Sequence, residues 1–325
     1  MTHAIRIHKT GGPEVLQWEE VQLGKPGAGE ARVRHTAVGL NFTDIYTRMG
    51  SYPPASFPSG LGLEGAGVVE EVGTGVTDVK AGDRVAYGTG PLGAYSESRI
   101  MPADRLVLIP KGIDDKTAAA MMLKGLTAQY LLRRTYKVKA GDTILFHAAA
   151  GGVGLIAGQW AKSLGATVIG TVGSEEKAKL AKAHGYDHVI NYAKEDFVKR
   201  VAEITGGKKV PVVYDSVGKD TFLKSLDCLA PRGLVALFGA SSGAPEPLNL
   251  GLLSAKGSLY VTRPTLGTYG AKRSDMVESA QELFEIVAKG AVKIEIHQTY
   301  ALKDAAKAHA DLAARKTTGS TVFTV

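Results

Sequence analysis

Glycine carries the first chemical suggestion in this chain. Between positions 143 and 154 the run Thr143-Ile144-Leu145-Phe146-His147-Ala148-Ala149-Ala150-Gly151-Gly152-Val153-Gly154 leads an apolar strand pattern into a helix pattern through a turn of small residues. The spacing G-x-G-x-x-G falls on Ala149, Gly151 and Gly154, with alanine in first place. At such a turn Gly151 admits a pyrophosphate against the backbone, and Gly154 lets the helix press on the sheet. The first helical amides, around Gly152 and Val153, then point at phosphate oxygens. A merely tight structural turn uses the same letters. The strand before, the helix after and a further strand at the expected distance favour a dinucleotide.

The choice of nicotinamide rests on the end of the next strand, Gly170-Thr171-Val172-Gly173-Ser174. An acid there would bond a ribose 2′-hydroxyl and repel a 2′-phosphate; this segment has none and leaves room at Gly173. Ser174 looks like a helix N-cap, and a capping box would put Glu or Gln at position 177. Lys177 stands there instead, facing the positive end of the helix dipole at a cost of a few tenths of a kcal/mol. A nearby phosphate reverses that sign. The expectation is NADPH, with Lys177 and Ser174 on the 2′-phosphate. Lys177 as one exposed lysine of a charged helix is the alternative, and Glu175 and Glu176 complicate the anion site unless they point away.

The surrounding elements fit a two-domain protein. With 325 residues the chain is long for one core. Residues 1 to about 120 are rich in Gly, Pro and short β-like runs (Ala31–Val38, Gly65–Val72, Arg84–Tyr87), with little helical periodicity. From about 125, strand and helix patterns alternate: Thr143–His147, Val153–Leu164, Thr167–Thr171, Ser174–Ala183, His188–Ile190, Glu195–Ile204, Val210–Tyr214, Thr221–Leu229, Leu234–Phe238 and Ser258–Val261. Six such strands predict a parallel sheet with helices on both faces. The tail, Ser274–Lys289, Glu295–Tyr300, Lys303–Ala314 and Ser320–Thr324, is too small for its own core and is expected to pack on the first domain.

Composition narrows the function classes. Hydrophobic residues at 44% and charged residues at 22% suit an ordinary globular protein. The net charge of +7 is scattered, with no basic run or tail, which argues against nucleic acid. The single cysteine, Cys228, lies in an apolar helix pattern and excludes an intramolecular disulfide. No apolar stretch approaches the ~20 residues of a membrane span, and the start lacks a signal-peptide core, so a cytoplasmic location is expected.

Gly62-Leu63-Glu64-Gly65-Ala66-Gly67-Val68-Val69-Glu70-Glu71-Val72-Gly73 resembles the G-H-E-x-x-G-x-V-x-x-x-G signature of medium-chain alcohol dehydrogenases, with Leu63 in place of the histidine. Gly39-Leu40-Asn41-Phe42-Thr43-Asp44 is similar to their G-x-C-x-(S/T)-D segment, with Asn41 in place of the zinc-binding cysteine, and Ala81-Gly82-Asp83-Arg84-Val85 to their G-D-x-V turn. Zinc needs thiolate, imidazole or carboxylate donors. Two ligand positions lack them, one cysteine cannot form the four-cysteine structural site, and the eight histidines show no paired spacing. No metal is expected. The chain most resembles the zinc-free quinone oxidoreductase group that includes ζ-crystallin. The matching segments are His8–Leu16, Asn41–Asp44, Lys124–Thr127, His147–Gly154, Val213–Gly218 and Gly257–Pro264.

This resemblance implies an α/β protein: a GroES-like, β-rich catalytic domain (1–123, with 265–325 as its return segment) and a doubly wound Rossmann NADPH-binding domain (124–264). It implies a homodimer joined edge to edge around Leu248–Val261, where Gly257–Val261 has the β composition for it, although a buried strand explains those five letters equally well. Without a metal, an alkoxide has no electrophile to stabilise it, whereas a quinone or conjugated enone spreads incoming charge over its own π-system. By its match, Asn41 would lie near the nicotinamide and donate an amide hydrogen bond to a substrate oxygen; a turn-forming asparagine is the other reading. Phe42 and Tyr46 are further contacts to cofactor or substrate. Tyr52 can stack or donate a proton, with half-buried packing as its blander role. Lys124 is either a contact of the family pattern or a local cap. Further cofactor contacts carry over by position to Thr127, Tyr130, Tyr192, Ser216, Val217, Phe238, Gly239, Ala240 and Ser241, with Arg263 and Arg315 adding charge toward the phosphates. His147 reads better as a satisfied core histidine than as a catalytic one. The expectation is NADPH-dependent quinone reduction. Reduction of enone or alkenal double bonds is the enzymatic rival, and an AU-rich RNA-binding or crystallin-like structural protein is the rival from another class.

Overall fold

The computed structural model describes residues 1–325. The first stretch runs β1 (Thr2–Ile7), β2 (Gln17–Val21), β3 (Glu30–Leu40), α1 (Phe42–Met49), β4 (Ser59–Gly60), β5 (Gly65–Val72), β6 (Arg84–Tyr87), β7 (Ser98–Pro102), β8 (Val107–Leu108) and α2 (Asp115–Tyr130). Next come β9 (Thr143–Phe146), α3 (Gly152–Ser163), β10 (Thr167–Val172), α4 (Glu175–Ala183), β11 (His188–Asn191), α5 (Phe197–Ile204), β12 (Val210–Asp215) and α6 (Phe222–Asp227). The chain closes with β13 (Leu229–Leu237), α7 (Gly251–Ala255), β14 (Tyr260–Thr262), α8 (Leu266–Tyr269), α9 (Arg273–Ala288), β15 (Ile296–Ala301), α10 (Ala305–Ala313) and β16 (Ser320–Thr324).

Compactness divides the chain into two units. Met1–Leu126, Gly270–Ala288 and Ile294–Val325 form the first; Thr127–Tyr269 and Lys289–Lys293 form the second. The first is built on a seven-stranded sheet, β15-β16-β3-β5-β6-β8 with β7 also on β3, beside a smaller sheet β2-β1-β4. The last strand pairs with β3, Thr321 opposite Leu40. Residues distant in sequence therefore share one core: Ile5, Val33, Leu40, Val69, Val85 and Met101 pack with Leu302, Ala308 and Phe323. Each of the larger side chains among them contributes roughly 1.5–3 kcal/mol when fully buried rather than exposed.

Two helices depart from the reading of residues 1 to 120 as a helix-poor β region. In α1 the N-cap is Asn41, whose backbone amide donates to the Asp44 carboxylate at 2.8 Å. In α2, Ala118, Ala119, Ala120, Met121 and Met122 are all buried, so no polar face alternates with an apolar one and the helical period is hidden.

The second unit holds a six-stranded sheet in the order β11-β10-β9-β12-β13-β14, with every pairing parallel. Counting its own strands, this is the order 3-2-1-4-5-6 of a doubly wound dinucleotide fold. The strands are short and β-branched, and they bury Leu145, Ile169, Ile190, Val213 and Val235 beneath helix residues such as Phe197, Val201 and Leu226. β14 starts at Tyr260 rather than Ser258, because Gly257 and Ser258 both have positive φ and make the turn into it. β13 starts earlier than expected, at Leu229. No helix is long and apolar enough to cross a membrane.

Candidate active site

In a wholly parallel sheet the carboxyl ends of all strands emerge on one edge. That places the turn after β9, Gly173 after β10, Tyr192 after β11, Ser216 after β12 and Phe238 after β13 along the same edge of the second unit. The turn itself is tight. Ala148 adopts φ +56, the Gly151 amide donates to Ala148 O at 2.9 Å, and a Cβ on Gly154 would lie 2.5 and 2.6 Å from the carbonyl oxygens of Ala148 and Ala149. Gly154 is therefore demanded by the turn itself. Close helix–sheet packing rests on Gly158 and Gly170, whose added Cβ atoms would strike the Tyr186 ring at 2.3 and 2.5 Å. The Tyr186 hydroxyl donates to Gly154 O at 2.8 Å, a contact that sequence reading missed. No side chain caps α3, so its first amides keep the positive end of the helix open to an anion.

After β10 the Ser174 hydroxyl caps α4 by accepting from Lys177 N at 3.3 Å. A Cβ on Gly173 would be 2.6 Å from the Tyr192 hydroxyl, so Tyr192, Gly173, Ser174 and Lys177 form one corner. Glu175 is held toward Asn191 Nδ2 and Lys194 Nζ, both at 2.9 Å. The next two loops are joined: Ser241 N donates to Ser216 O at 3.1 Å and Ser242 N to Val217 O at 2.9 Å, with Gly239 passing against Ser216. Beneath them Asp215 accepts from the amides of Val217 and Gly218 and from the hydroxyls of Thr221 and Ser225. Phe238 packs on Phe146, Ala240 O accepts from the Gly243 amide, and the Arg263 guanidinium donates to Leu237 O at 2.7 Å. Thr127 is buried on α2, and Tyr130 stacks on Tyr269 with centroids 4.6 Å apart. Arg315 belongs to the first unit, exposed just after α10 with φ +59.

His147 is the satisfied core histidine that its position on the strand suggested. Its ring meets Thr171 Oγ1 at 2.8 Å and Ser225 Oγ at 3.0 Å, and burial lowers its pKa against the opposing pull of Asp215. Cys228 is buried too, and burial pushes its thiol up to about 12, far from a reactive thiolate.

In the first unit, Phe42, Tyr46 and Tyr52 form an edge-to-face series with centroids 5.2 and 5.4 Å apart, ending in the half-exposed Tyr52. Asn41 is buried, and its Nδ2 donates to Glu64 Oε2 at 2.7 Å. Lys124 Nζ donates to the same oxygen at 2.7 Å, and Leu123 N reaches Glu64 Oε1 at 2.8 Å. Glu64 entered the sequence reading only as a motif letter. Its partner lies 60 residues away, and no local spacing announces the pair.

A second buried set lies behind α1. Asp44 accepts from the Tyr95 hydroxyl at 2.8 Å, Tyr95 meets His309 Nε2 at 3.1 Å, and His309 Nδ1 faces Arg48 at 3.4 Å. Burial raises Asp44 to about 7, against the bonds from Asn41 N and Tyr95 that favour its charged form. These residues too were unassigned from sequence.

Two family models match the chain: the alcohol dehydrogenase GroES-like domain over residues 27–111 and the zinc-binding dehydrogenase over 152–285. The zinc of the latter's name does not fit these residues, since an amide and an aliphatic side chain occupy positions 41 and 63 and no group of three or more His, Cys, Asp or Glu is placed to hold a metal. A quinone oxidoreductase of Pseudomonas aeruginosa is 59% identical over 323 residues, 99% of each chain. A 2-haloacrylate reductase of Burkholderia sp. is 51% identical over 99% of each. The crystal structure of Escherichia coli quinone oxidoreductase complexed with NADPH superposes with a TM-score of 0.98 at 54% identity, covering 99% of this chain and 100% of that one. With identity at this level along its whole length, the chain belongs to the quinone oxidoreductase family of the medium-chain dehydrogenase/reductase superfamily.

Proposed function

We propose that this protein reduces quinones with NADPH by hydride transfer, without a metal. The observation that carries the reading is the floor of the first unit: where a zinc-dependent relative needs metal ligands there is an amide donor, Asn41, beside the aromatic series of Phe42, Tyr46 and Tyr52. Such a floor can bind a flat acceptor and hydrogen-bond its oxygen; it cannot activate an alcohol as a Lewis acid would. The residues of the second unit fit the dinucleotide. The uncapped amides of Gly152 and Val153 would hold the pyrophosphate, and Lys177 and Ser174 the 2′-phosphate. Tyr192 closes that corner, with Ser216, Val217 and the Phe238–Ser241 loop along the rest of the edge and Arg263 beside it.

NADPH supplies the hydride. The chain's own work is positioning. Asn41 has one N–H committed to Glu64 and a second for the acceptor's oxygen, while Tyr46 and Tyr52 offer ring faces and edges to a flat substrate. A reduced quinone can take its protons from water, so no obligatory acid is assigned.

The direct test follows NADPH oxidation across benzoquinones, naphthoquinones and enones. Asn41→Ala is expected to lower kcat/KM for quinones by about 10–100-fold, the loss of one hydrogen bond to developing charge. Tyr46→Phe should have a smaller effect. If both variants matched the wild type, the roles of Asn41 and Tyr46 would be lost. A second reading, reduction of a conjugated carbon–carbon double bond, draws on the 51% identity to the protein named 2-haloacrylate reductase. Faster turnover of enones than of every quinone would favour it.

The same reading includes a homodimer. β14 is an edge strand, Tyr260 on it is 62% exposed and nearby Leu250 is 73% exposed, a surface suited to strand pairing between two copies. Light scattering should give twice the chain mass, and Tyr260→Lys should shift it toward one copy.

A further inference from the structure

Glu64 and Lys124 form a completely buried ion pair, with side-chain exposures of 0% and 6%. A buried pair of this kind is seldom a gain in stability over apolar residues of the same volume. The fold nevertheless goes to some length to admit it. Gly39, next to the end of β3, leaves the space: a Cβ there would lie 2.1 Å from Glu64 Oε2 and 2.4 Å from Ala119 O. The carboxylate is then satisfied by three donors from two elements, Asn41 at the head of α1 and Leu123 N and Lys124 Nζ on α2.

The chemistry of the three side chains explains the arrangement. A carboxamide has a donor end and an acceptor end of nearly the same shape, and either could turn toward a given neighbour. An ionised carboxylate only accepts, so Glu64 requires the Asn41 NH₂ on its side. The ammonium of Lys124, on the same oxygen at 2.7 Å, supplies the counter-charge that a buried carboxylate requires. Without the ammonium the carboxylate loses the charge that holds it in place, and the Asn41 NH₂ loses its fixed acceptor.

We infer that Glu64 and Lys124 are positioning residues: the pair fixes which end of the Asn41 amide faces Glu64 and thereby presents the second N–H to the oxygen of the acceptor. This rests on the quinone-reducing role proposed above and acts through Asn41 alone.

The experiment is a double-mutant cycle in quinone reduction with Asn41→Ala, Lys124→Met and the combined variant, with NADPH dissociation constants measured alongside. Lys124→Met should lower quinone kcat/KM about tenfold or more and leave NADPH binding unchanged. In the Asn41→Ala background it should cost less than about twofold, because nothing is left to orient. Should Lys124→Met fold poorly, Glu64→Gln/Lys124→Met removes both charges, and its loss must likewise vanish in the Asn41→Ala background. Losses that multiply, or a Lys124→Met enzyme with wild-type rates, overturn the positioning role while the quinone reading stands. A wild-type protein that oxidises NADPH with no quinone or enone removes both together.

Discussion

Lys177 occupies a position that helix electrostatics disfavours. It is the third residue of α4, where an acidic side chain would be favoured and a lysine opposes the dipole. The two acids ahead of it are held in other bonds. Glu175 is drawn to Asn191 and Lys194, and Glu176 is stabilised as an anion by its own amide and the Ser174 hydroxyl. A 2′-phosphate would convert the lysine from a cost into a charge-assisted contact worth roughly 1.5–3 kcal/mol. Lys177→Ala should therefore lower kcat/KM for NADPH by about 10–100-fold and change that for NADH little. An unaltered preference between the two would remove Lys177 from the phosphate site. At this scale the sequence was informative where chemistry is local. The missing acid after β10, the Ser174 cap and the lost zinc donors are all read from neighbours in the chain. Glu64 with Lys124, Asp44 with Tyr95, and Tyr95 with His309 are joined across 60, 51 and 214 positions, and each letter alone is an ordinary polar residue.

The β9–α3 turn shows how an element enforces its own sequence. Positive φ at Ala148 folds the chain back, and Gly154 must pass over the carbonyls so exposed. Gly154→Val would push a branched side chain into two backbone oxygens that cannot withdraw, with a destabilisation on the order of 1–3 kcal/mol. The expected outcome is a lower urea midpoint together with NADPH binding weakened by more than tenfold, because the same turn aims the α3 amides. Normal NADPH affinity in a destabilised protein would separate the turn's shape from its use. The doubly wound order was legible because β-branched runs alternate with helix patterns at regular spacing. α2 was not, since burial on every side erases the stripe by which a helix is recognised. α1 was hidden by its own cap: Asn41 and Asp44 drew attention as a motif, and the helix they begin has only eight residues.

Across the whole molecule, buried histidines and one buried acid set opposing dependences of stability on pH. His35 is bonded to Ser96 O and the Tyr87 hydroxyl, both at 2.6 Å, and burial lowers it to about 4. Burial, with help from Arg48, lowers His309 to about 3. Both are neutral when folded and take up a proton near 6.5 when unfolded, so their stabilisation is complete above 6.5 and declines as pH falls toward their folded values. Asp44 has the opposite sign. Raised to about 7, it favours the fold below its unfolded value near 4 and withdraws that contribution as pH rises through 7. Between 6.5 and 4 two histidines, with His147 lowered in the same direction, act against one acid, so the urea midpoint should fall as the solution is acidified. Each histidine contributes a slope of up to about 1.4 kcal/mol per pH unit. His309→Gln keeps a hydrogen-bonding group opposite Tyr95 but has no proton to gain. It should therefore cost stability at pH 7 and flatten the decline between pH 6.5 and 4 by up to one histidine's share. Midpoints measured at pH 7, 5.5 and 4.5 decide the matter: curves for variant and wild type that run parallel would mean that His309 titrates alike in both states and that its burial carries no acid sensitivity.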